Sequence, residues 1–398
     1  MYFDTNEKKE CCGCTACQQI CPKKCIKMEQ DEEGFFYAKK IDTKACTSCG
    51  LCYKVCPFNN KEKENLEEPE CYYGWHKDET KRYLSTSGAA FIALVESFLK
   101  KNYYYCGVVY AKDYKLVYHI CTNNYSDVLK MRSSKYVQSN MNNCFSNIKQ
   151  LLKNGEKVLF SGTPCQVYGL INYIGDNLGK NLFTVALVCH GVASPKCFEK
   201  YIDEIERKYD SKVNFVKFRE KKEHNGELSH RYTAIKLKNG KSFVSTENPY
   251  TIVYGLGLMH RPSCTVCPYT TPKRKADITI GDFWGIEDKY PELRSQVSKG
   301  ISLVLIHTNK GRRSVEDLKE QMELYKVPYT LSMHPRQHQL IRPCEENRRR
   351  ERFIKRVLDE RGEFSKEARR EILRNKAIRK FDFIYKLNGK IKKCIYGN

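Results

Sequence analysis

The sequence has no uninterrupted apolar segment long enough to cross a lipid bilayer, so we expect no membrane-spanning helix. It begins with the polar segment MYFDTNEKKE, where a secretory signal peptide has a basic and then an apolar region. The sequence therefore predicts a cytoplasmic protein. Solenoid repeats are absent as well, and 398 residues suffice for two or three globular domains with ample core.

The chain has fewer acidic than basic residues, with 47 Asp and Glu and 70 Lys and Arg, so its net charge is +23. Much of the excess lies in residues 347–398. A docking face for an acidic redox partner, a membrane-surface contact and an ordinary basic helical tail all remain open. Nucleic-acid binding is not expected, because no recognised binding motif accompanies the charge.

Apolar residues recur at near-helical spacing within this basic segment: Ile354, Val357, Leu358, Ile372, Leu373, Ile378, Phe381, Ile384 and Tyr385. An amphipathic helix of this kind can lie on an anionic membrane or pack on the body of the protein. We favour packing on the body and keep a peripheral membrane contact as the alternative.

Cysteine, by contrast, is abundant. Two runs share the spacing C-x2-C-x2-C-x3-C-P: Cys11, Cys14, Cys17 and Cys21, then Cys46, Cys49, Cys52 and Cys56. Bacterial ferredoxins hold pairs of [4Fe–4S] clusters with this spacing, and the fourth cysteine of each run ligates the other cluster. The expected ligand sets are Cys11, Cys14, Cys17 and Cys56 for one cluster, and Cys46, Cys49, Cys52 and Cys21 for its partner. Zinc is the alternative, but two C-x3-C-P endings favour clusters.

Ligand spacing of this kind argues for a reducing compartment, in which thiolates are kept for iron instead of disulfides. Nine cysteines lie outside the predicted ligand positions, and most are expected to be ordinary small buried residues. They are Cys12, Cys25, Cys71, Cys106, Cys121, Cys144, Cys197, Cys344 and Cys394.

The fold predicted from these patterns has three parts. Residues 1–60 form an α+β ferredoxin-like dicluster domain, and the charged residues 61–71 form a linker. Residues 72–340 form an α/β catalytic domain with a mixed sheet, and residues 341–398 form a basic helical tail.

Within the catalytic domain, two buried strands, Lys157–Phe160 and Leu182–Val188, each open into a loop that contains cysteine. Ligand sites form just past strand ends in α/β sheets, so both loops are well placed for chemistry. Hairpins are predicted around Asp113 and at Asn239-Gly240, and a helix near Ser314–Tyr325.

Six loops, in this order, resemble the beta subunits of coenzyme F420-reducing hydrogenases and dehydrogenases: Ser85–Ala89, Ser134–Ser139, Gly162–Gln166, Cys189–Pro195, Cys264–Lys273 and Gly281–Gly285. That family consists of iron–sulfur flavoproteins that bind FAD and pass electrons between clusters and F420, while relatives reduce other organic acceptors. Similar bacterial chains with a fused ferredoxin module occur near polysaccharide synthesis genes.

The resemblance implies an FAD site. Ser85, Ser87 and Gly88 would hold the pyrophosphate at a helix N-terminus. Lys135 would offset cofactor charge, and Tyr136 would pack on a ring or on the core. The chain has Ala89 where the family more usually has a second glycine, which changes the surroundings of the expected phosphate.

Other residues are expected near the flavin ring. Thr163 and Gln166 would hydrogen-bond its edge, and His190 would donate a proton, because histidine titrates near neutrality. A buried structural histidine is the alternative for His190. For Asp282 and Trp284, a role in the cofactor site and a purely structural role both remain open.

A third [4Fe–4S] cluster is expected on Cys165, Cys189, Cys264 and Cys267. The Cys264-x-x-Cys267 pair supplies only half of the ligands, so two distant partners are needed. The alternatives are zinc on Cys264 and Cys267, or a flavin contact for Cys165.

These features predict an oxidoreductase that takes electrons from a ferredoxin-like donor and reduces a small organic acceptor through its clusters and FAD. One alternative is an electron-transfer subunit of a larger redox complex, with no substrate of its own. Another is a scaffold in surface-polysaccharide assembly that keeps its clusters for structure.

Overall fold

The computed structural model describes residues 1–59, 66–224 and 227–377. Within these residues the strands form three sheets. The strands are β1 (Ile26–Gln30), β2 (Phe36–Lys40), β3 (Glu70–His76), β4 (Tyr103–Tyr110), β5 (Val117–Thr122), β6 (Lys157–Gly162), β7 (Leu182–Leu187), β8 (Val213–His224), β9 (Glu227–Leu237), β10 (Ser242–Ser245), β11 (Ile278–Asp282), β12 (Ser302–Ile306) and β13 (Met322–Val327).

Helices pack around these sheets. They are α1 (Tyr2–Thr5), α2 (Ala16–Ile20), α3 (Leu51–Val55), α4 (Glu79–Leu84), α5 (Ala90–Leu99), α6 (Tyr125–Lys130), α7 (Cys144–Lys153), α8 (Pro164–Ile174), α9 (Pro195–Tyr209), α10 (Pro249–Gly255), α11 (Ile286–Lys289), α12 (Arg294–Val297), α13 (Asn309–Arg313), α14 (Val315–Gln321), α15 (Arg350–Leu358) and α16 (364–377). Short 3₁₀ helices include Pro262–Val266 and Pro335–Leu340.

The central sheet has eight strands in the order β13-β3-β12-β11-β7-β6-β4-β5. The four strands β11, β7, β6 and β4 run parallel to one another, and the outer strands pair antiparallel. Val158, Leu159 and Phe160 of β6 are completely buried, as expected for a central strand covered on both faces. The sheet confirms the predicted mixed α/β architecture.

Both predicted hairpins are present. Strands β4 and β5 pair antiparallel, and so do β9 and β10, with Asn239 and Gly240 in the turn between them. Gly240 has a φ of 85°, a conformation that favours glycine. The helix predicted over Ser314–Tyr325 is wrong in its last residues, because the chain enters β13 at Met322. There Tyr325 stacks on Tyr73 of β3, with 5.0 Å between ring centroids.

A smaller sheet, β10-β9-β8, packs with α9, α10, α15 and α16 around a second core. Ile354 and Val357 of α15 are buried in this core, and Leu358 and Ile372 pack against it. Leu373, in contrast, is 56% exposed. Ile378, Phe381, Ile384 and Tyr385 lie outside the described residues. In its described part, the basic segment thus packs on the body of the protein.

The N-terminal domain contains the β1–β2 hairpin and the helices α1, α2 and α3. It contacts the catalytic domain through buried polar groups. Arg261 donates hydrogen bonds from its guanidinium to the carbonyl oxygens of Cys11 (2.7 Å) and Phe36 (2.8 Å). Gln138 donates to the carbonyl of Cys12 at 2.9 Å, and Arg350 forms a buried ion pair with Glu33. These bonds fix the domain against the central sheet.

Among the described helices, none combines the length and the apolar character that a bilayer crossing requires.

Candidate functional site

A cavity opens at the carboxyl ends of β6 and β7. The two strands are parallel neighbours, so the loops that follow them meet at one edge of the sheet. Cys165 follows β6 at the start of α8, and Cys189 follows β7. Cys264 and Cys267 reach the same cavity from the 3₁₀ helix Pro262–Val266 and the residue after it. The structure therefore brings together the four thiols expected to hold the third cluster.

The spacing of these thiols bears on the choice between zinc and a cluster. Thiolates around one zinc ion lie about 3.8 Å apart, as follows from a Zn–S bond of about 2.3 Å in tetrahedral geometry. In the described part of the chain, one group of three potential metal ligands has all its ligand atoms within 4.8 Å of one another, and it lies outside the cavity: Cys106, Cys121 and Cys144. No three of the four cavity thiols lie within 4.8 Å of one another, which suits a polynuclear cluster better than a single ion.

Cys106 and Cys121 themselves are joined by a disulfide between β4 and β5. The Sγ of Cys144 lies 3.8 Å from that of Cys121. The sequence predicts that most of the nine cysteines outside the ligand positions are ordinary buried residues in a protein without disulfides. The disulfide corrects that expectation for Cys106 and Cys121, which face each other directly in the β4–β5 register.

The cavity thiols are half-buried, and loss of solvent raises the pKa of Cys189 to about 11 and that of Cys267 to about 12. Without a bound metal they keep their protons at neutral pH, so metal binding has to release those protons. The guanidinium groups of Arg261 and Arg274 border the same cavity. Their positive charge favours the thiolate form that binds iron.

Two further cysteines line the cavity, Cys12 and Cys344. The Cys12 thiol interacts with Cys165 and raises its pKa more than burial does, and it also contacts Cys14. Burial raises the pKa of Cys344 to about 12, with Cys189 as a further cause. Sequence reasoning treated both as ordinary buried residues. A fifth cysteine inside the first run was the available signal for Cys12, whereas nothing in the sequence points to Cys344.

A second pocket lies within the N-terminal domain. Cys11, Cys14, Cys17 and Cys56 all line it, which is the set that the crossed-ligand pattern predicts for the first cluster. The remaining predicted ligands lie nearer the surface, with Cys46 and Cys49 exposed and Cys21 and Cys52 partly buried. Burial is the main cause of the raised pKa of Cys25, and the thiols of Cys21 and Cys46 raise it further. Both thiols therefore lie near Cys25. Cys12 lines both pockets, so the N-terminal site and the cavity border on the same residue.

His190 lines the cavity, and its Nδ1 lies 3.1 Å from Nε2 of His338. The ring of His260 is 5.5 Å away, centroid to centroid. Burial and the neighbouring His338 lower the pKa of His190 to about 4. A charged imidazole is unfavourable in this position, so the pKa of His190 lies below the near-neutral range expected for a free histidine. Proton donation beside a flavin stays a prediction for His190.

Three residues expected at the FAD pyrophosphate lie before α5. Ser85 is buried, and its Oγ has no partner among the described residues. Ser87 instead donates to the carbonyl of Ile301 at 2.7 Å, and the N–H of Gly88 donates to Oγ of Ser302 at 3.0 Å. Ser87 and Gly88 thus connect α5 to β12. A contact with FAD stays a prediction for all three.

The other residues expected at FAD have partners within the protein. The Nζ of Lys135 donates to the carbonyls of Met131 (3.2 Å) and Arg132 (3.0 Å), and burial lowers its pKa to about 7. The ring of Tyr136 stacks on Tyr254 with 4.5 Å between centroids.

Thr163 and Gln166 form a capping box at the start of α8. The Oε1 of Gln166 accepts from the Thr163 N–H at 3.0 Å, and its Nε2 donates to Oγ of Ser139 at 3.0 Å. These bonds give both residues a helix-capping role, and a flavin contact stays a prediction.

Asp282 and Trp284 contact a buried cation. Arg219 pairs with the Asp282 carboxylate at 3.1 Å and lies over the Trp284 ring at 5.3 Å. Beside them, the Nζ of Lys221 donates to the carbonyl of Ser87 at 2.6 Å, and burial lowers the pKa of Lys221 to about 7. Sequence reasoning did not identify Arg219 or Lys221, because their contacts are distant in sequence.

Two segments of the chain match models of known protein families. Residues 155–330 match the family model for the C terminus of the beta subunit of coenzyme F420 hydrogenase/dehydrogenase, and residues 10–60 match a 4Fe-4S dicluster domain. A solved structure of the F420-reducing [NiFe] hydrogenase complex from Methanosarcina barkeri, derivatised with xenon, contains a similar chain with 19% identity and a TM-score of 0.45. That match covers 66% of this chain and 84% of the other. No curated protein matches the sequence. Residues 155–330 are therefore similar to the C terminus of the coenzyme F420 hydrogenase/dehydrogenase beta subunit, and residues 10–60 are similar to a 4Fe–4S dicluster domain.

Proposed function

We propose that the chain is a cytoplasmic iron–sulfur flavoprotein oxidoreductase. In this proposal it accepts electrons from a ferredoxin-like donor and passes them, by way of 4Fe–4S clusters and FAD, to a small organic acceptor. The observation that carries the proposal is the position of Cys12. Its side chain lines both the pocket of Cys11, Cys14 and Cys17 and the thiol-lined cavity of the catalytic domain.

The chemistry of the cavity residues supports a third cluster on Cys165, Cys189, Cys264 and Cys267. Four half-buried thiols with two guanidinium groups beside them fit an anionic thiolate-bound group. Tyr269, Phe58 and the main chain of Gly191 and Val192 enclose the same space. Their role is to keep water from the thiolates. A bound 4Fe–4S cluster exchanges single electrons, whereas a bound flavin stores two and delivers them as a hydride.

The fit of FAD is supported by the surroundings of Ser85. Its buried Oγ has no partner in the described chain, and a buried polar atom of this kind usually binds a ligand or water. Lys221 lies near the same loop, bonded to the carbonyls of Arg82 and Ser87. A hydroxyl and a buried ammonium group suit the phosphates of a dinucleotide. Ser85 and Lys221 are the residues of this chain that would hold it.

The acceptor to test first is a deazaflavin of the F420 type, because residues 155–330 match a family described by that coenzyme. A substrate of a polysaccharide pathway is the other acceptor that we consider. The structural support is equal for both, so turnover has to decide between them.

The test is anaerobic purification of the full chain, followed by quantification of iron, sulfide and flavin and by turnover with a reduced ferredoxin. The proposal predicts bound FAD and reduction of a small acceptor by the protein alone. Bound flavin with turnover only after addition of a partner protein would favour the electron-transfer subunit instead. Protein that carries clusters but binds no flavin after incubation with FAD would contradict the proposal.

A further inference from the structure

We propose that the exposed end of the dicluster domain is a docking surface for a small acidic electron-carrier protein. This inference rests on the proposed function and adds to it the face that the donor contacts and the charge that the donor must carry.

The thiols predicted to hold the two N-terminal clusters differ in exposure. Cys14 and Cys17 are buried, whereas Cys46 and Cys49 are exposed. Residues 41–51 are exposed throughout. An electron carrier needs close approach to a redox group, and the Cys46–Cys49 loop is where the described domain allows that approach.

Apolar side chains surround this loop. Ile41 is 54% exposed, and Leu51 and Tyr53 are each 36% exposed. Weak redox complexes bury small interfaces, and such interfaces combine an apolar centre with a polar rim. Ile41, Leu51 and Tyr53 supply the apolar centre.

Exposed lysines form the rim. Lys23 and Lys24 follow Cys21-Pro22, Lys27 lies on β1, and Lys44 precedes Cys46 by two residues. None of these four has an ion-pair partner among the described residues. Lysines without partners keep their full charge available to a binding protein.

Two acidic residues of the same domain, Asp31 and Glu33, lie on the side that meets the catalytic domain. Lys196 of α9 donates to the carbonyl of Asp31 at 3.3 Å, and Arg350 pairs with Glu33. Asp4 accepts a hydrogen bond from the Tyr53 hydroxyl, but its charge is paired with Lys40. Asp42 lies beside the exposed cysteine loop, and the unpaired lysines of the rim outnumber it. The end of the domain that carries this loop is therefore positive.

This distribution of charge favours binding of an acidic partner protein. Attraction between opposite charges speeds encounter and orients the two proteins, and it weakens as salt increases. An anionic membrane would also be attracted, but it offers no redox group to the exposed thiols. In the docked complex, one electron leaves the reduced carrier and the iron–sulfur centre bound by Cys46 and Cys49 gains it, with no proton transferred.

The test uses the full chain with its clusters and a small acidic bacterial ferredoxin as the probe. The variant K23E/K24E/K44E reverses three rim charges. A matched control, K180E/K238E/K366E, makes the same change in net charge at exposed lysines outside the dicluster domain. Iron content and reduction by dithionite are measured for each protein to show that the clusters remain in place.

We expect the rim variant to bind ferredoxin at least about tenfold more weakly at low salt, and the control to stay within about twofold of the parent. The difference should shrink as salt is raised. The milder variant K23Q/K24Q/K44Q should show an intermediate loss, and it replaces the first variant if that protein loses iron. Equal weakening in rim variant and control, or parent protein that binds anionic vesicles but not ferredoxin, would overturn the docking surface. Turnover with dithionite tests the proposed function separately, because it needs no carrier.

Discussion

At the scale of single residues, Arg261 connects the two domains. Its guanidinium donates to two carbonyls of the N-terminal domain and, at 2.7 Å, to Oε1 of Gln138, and it lies over the ring of Tyr37 at 4.1 Å. Lysine cannot replace this arrangement, because one ammonium group does not reach acceptors in three directions. Arg261 stands three residues before Cys264, so the segment that supplies two cavity thiols also holds the dicluster domain in place.

Replacing this side chain gives the first prediction. Arg261→Gln leaves buried acceptors unpaired, and each such loss costs about 1–3 kcal/mol. We expect the free energy of unfolding to fall by about 3 kcal/mol, measured by urea denaturation of the cluster-loaded protein. Arg336→Gln is the control, since Arg336 forms exposed ion pairs whose removal costs less than about 1 kcal/mol. Equal losses in the two variants would show that Arg261 does not hold the domains together.

The thiols give the second prediction. Cys11→Ser and Cys264→Ser should each lower the iron content by the equivalent of one cluster, because each removes a proposed ligand. Cys12→Ser and Cys344→Ser should keep the iron of the parent, since four other thiols remain for each cluster. Iron and sulfide analysis of anaerobically purified protein measures this. Loss of iron from Cys344→Ser, with iron retained in Cys165→Ser, would mean that Cys344 is the ligand in the cavity.

How far the sequence predicts the site depends on the distance between partners. The local spacing of Cys11, Cys14 and Cys17 is enough to predict that they share a pocket. Cys344 and Arg261 reach the site only through tertiary folding, and no local pattern distinguishes them from core or surface residues. For the same reason, the burial of His190 beside His338 could not be predicted from the sequence.

At the scale of elements, the contact between α5 and the central sheet depends on Gly88. A Cβ at this position would lie 2.4 Å from the Gly74 carbonyl oxygen in β3 and 2.8 Å from the Ser302 nitrogen in β12. Both neighbours are main-chain atoms of central strands, which cannot move aside. The glycine is therefore required by close packing, whether or not a phosphate binds nearby.

The third prediction follows from this contact. Gly88→Ala should destabilise the protein by about 1–3 kcal/mol, the usual cost of overpacking a core. Gly255→Ala at the end of α10 is a suitable control, because no atom lies within 4 Å of its added Cβ, and the change should be neutral or slightly stabilising. Midpoints of urea unfolding compare the two. A Gly88→Ala protein as stable as the parent would show that the strands can yield.

Strands with strong local signals were predicted well, and elements defined by distant partners were not. The apolar segments of β6 and β7 and the Asn239-Gly240 turn have clear patterns. Residues 322–325 have the composition of a helix end, yet they form β13, because pairing with β3 supplies contacts that local propensity does not include. Elements that are fixed by tertiary contacts need the whole fold to be identified.

At the scale of the whole molecule, buried histidines make stability depend on pH. Burial lowers the pKa of His119 to about 3, against about 6.5 in an unfolded chain. Between these values the unfolded state binds a proton that the folded state does not, so stability falls as pH decreases below about 6.5. One such group contributes up to about 1.4 kcal/mol per pH unit.

The fourth prediction concerns His119→Phe, which retains an aromatic ring against Phe160. Between pH 6.5 and 5.5 the variant should lose about 1 kcal/mol less stability than the parent, while the two respond alike above about pH 7. Urea midpoints across this range measure the difference. Parallel curves for parent and variant would show that the His119 pKa is not lowered in the folded protein.

The bonds that hold the dicluster domain come from residues spread along the rest of the chain, from Gln138 through Arg261 to Arg350. During synthesis the N-terminal domain leaves the ribosome first, and its final anchor follows only near the end of the chain. For that interval the loop that carries Cys11, Cys14 and Cys17 is not yet covered by the catalytic domain. We therefore expect the cluster on Cys11, Cys14, Cys17 and Cys56 to assemble most readily while the chain is still being synthesised. This interval ends when α15 has been made and Arg350 pairs with Glu33.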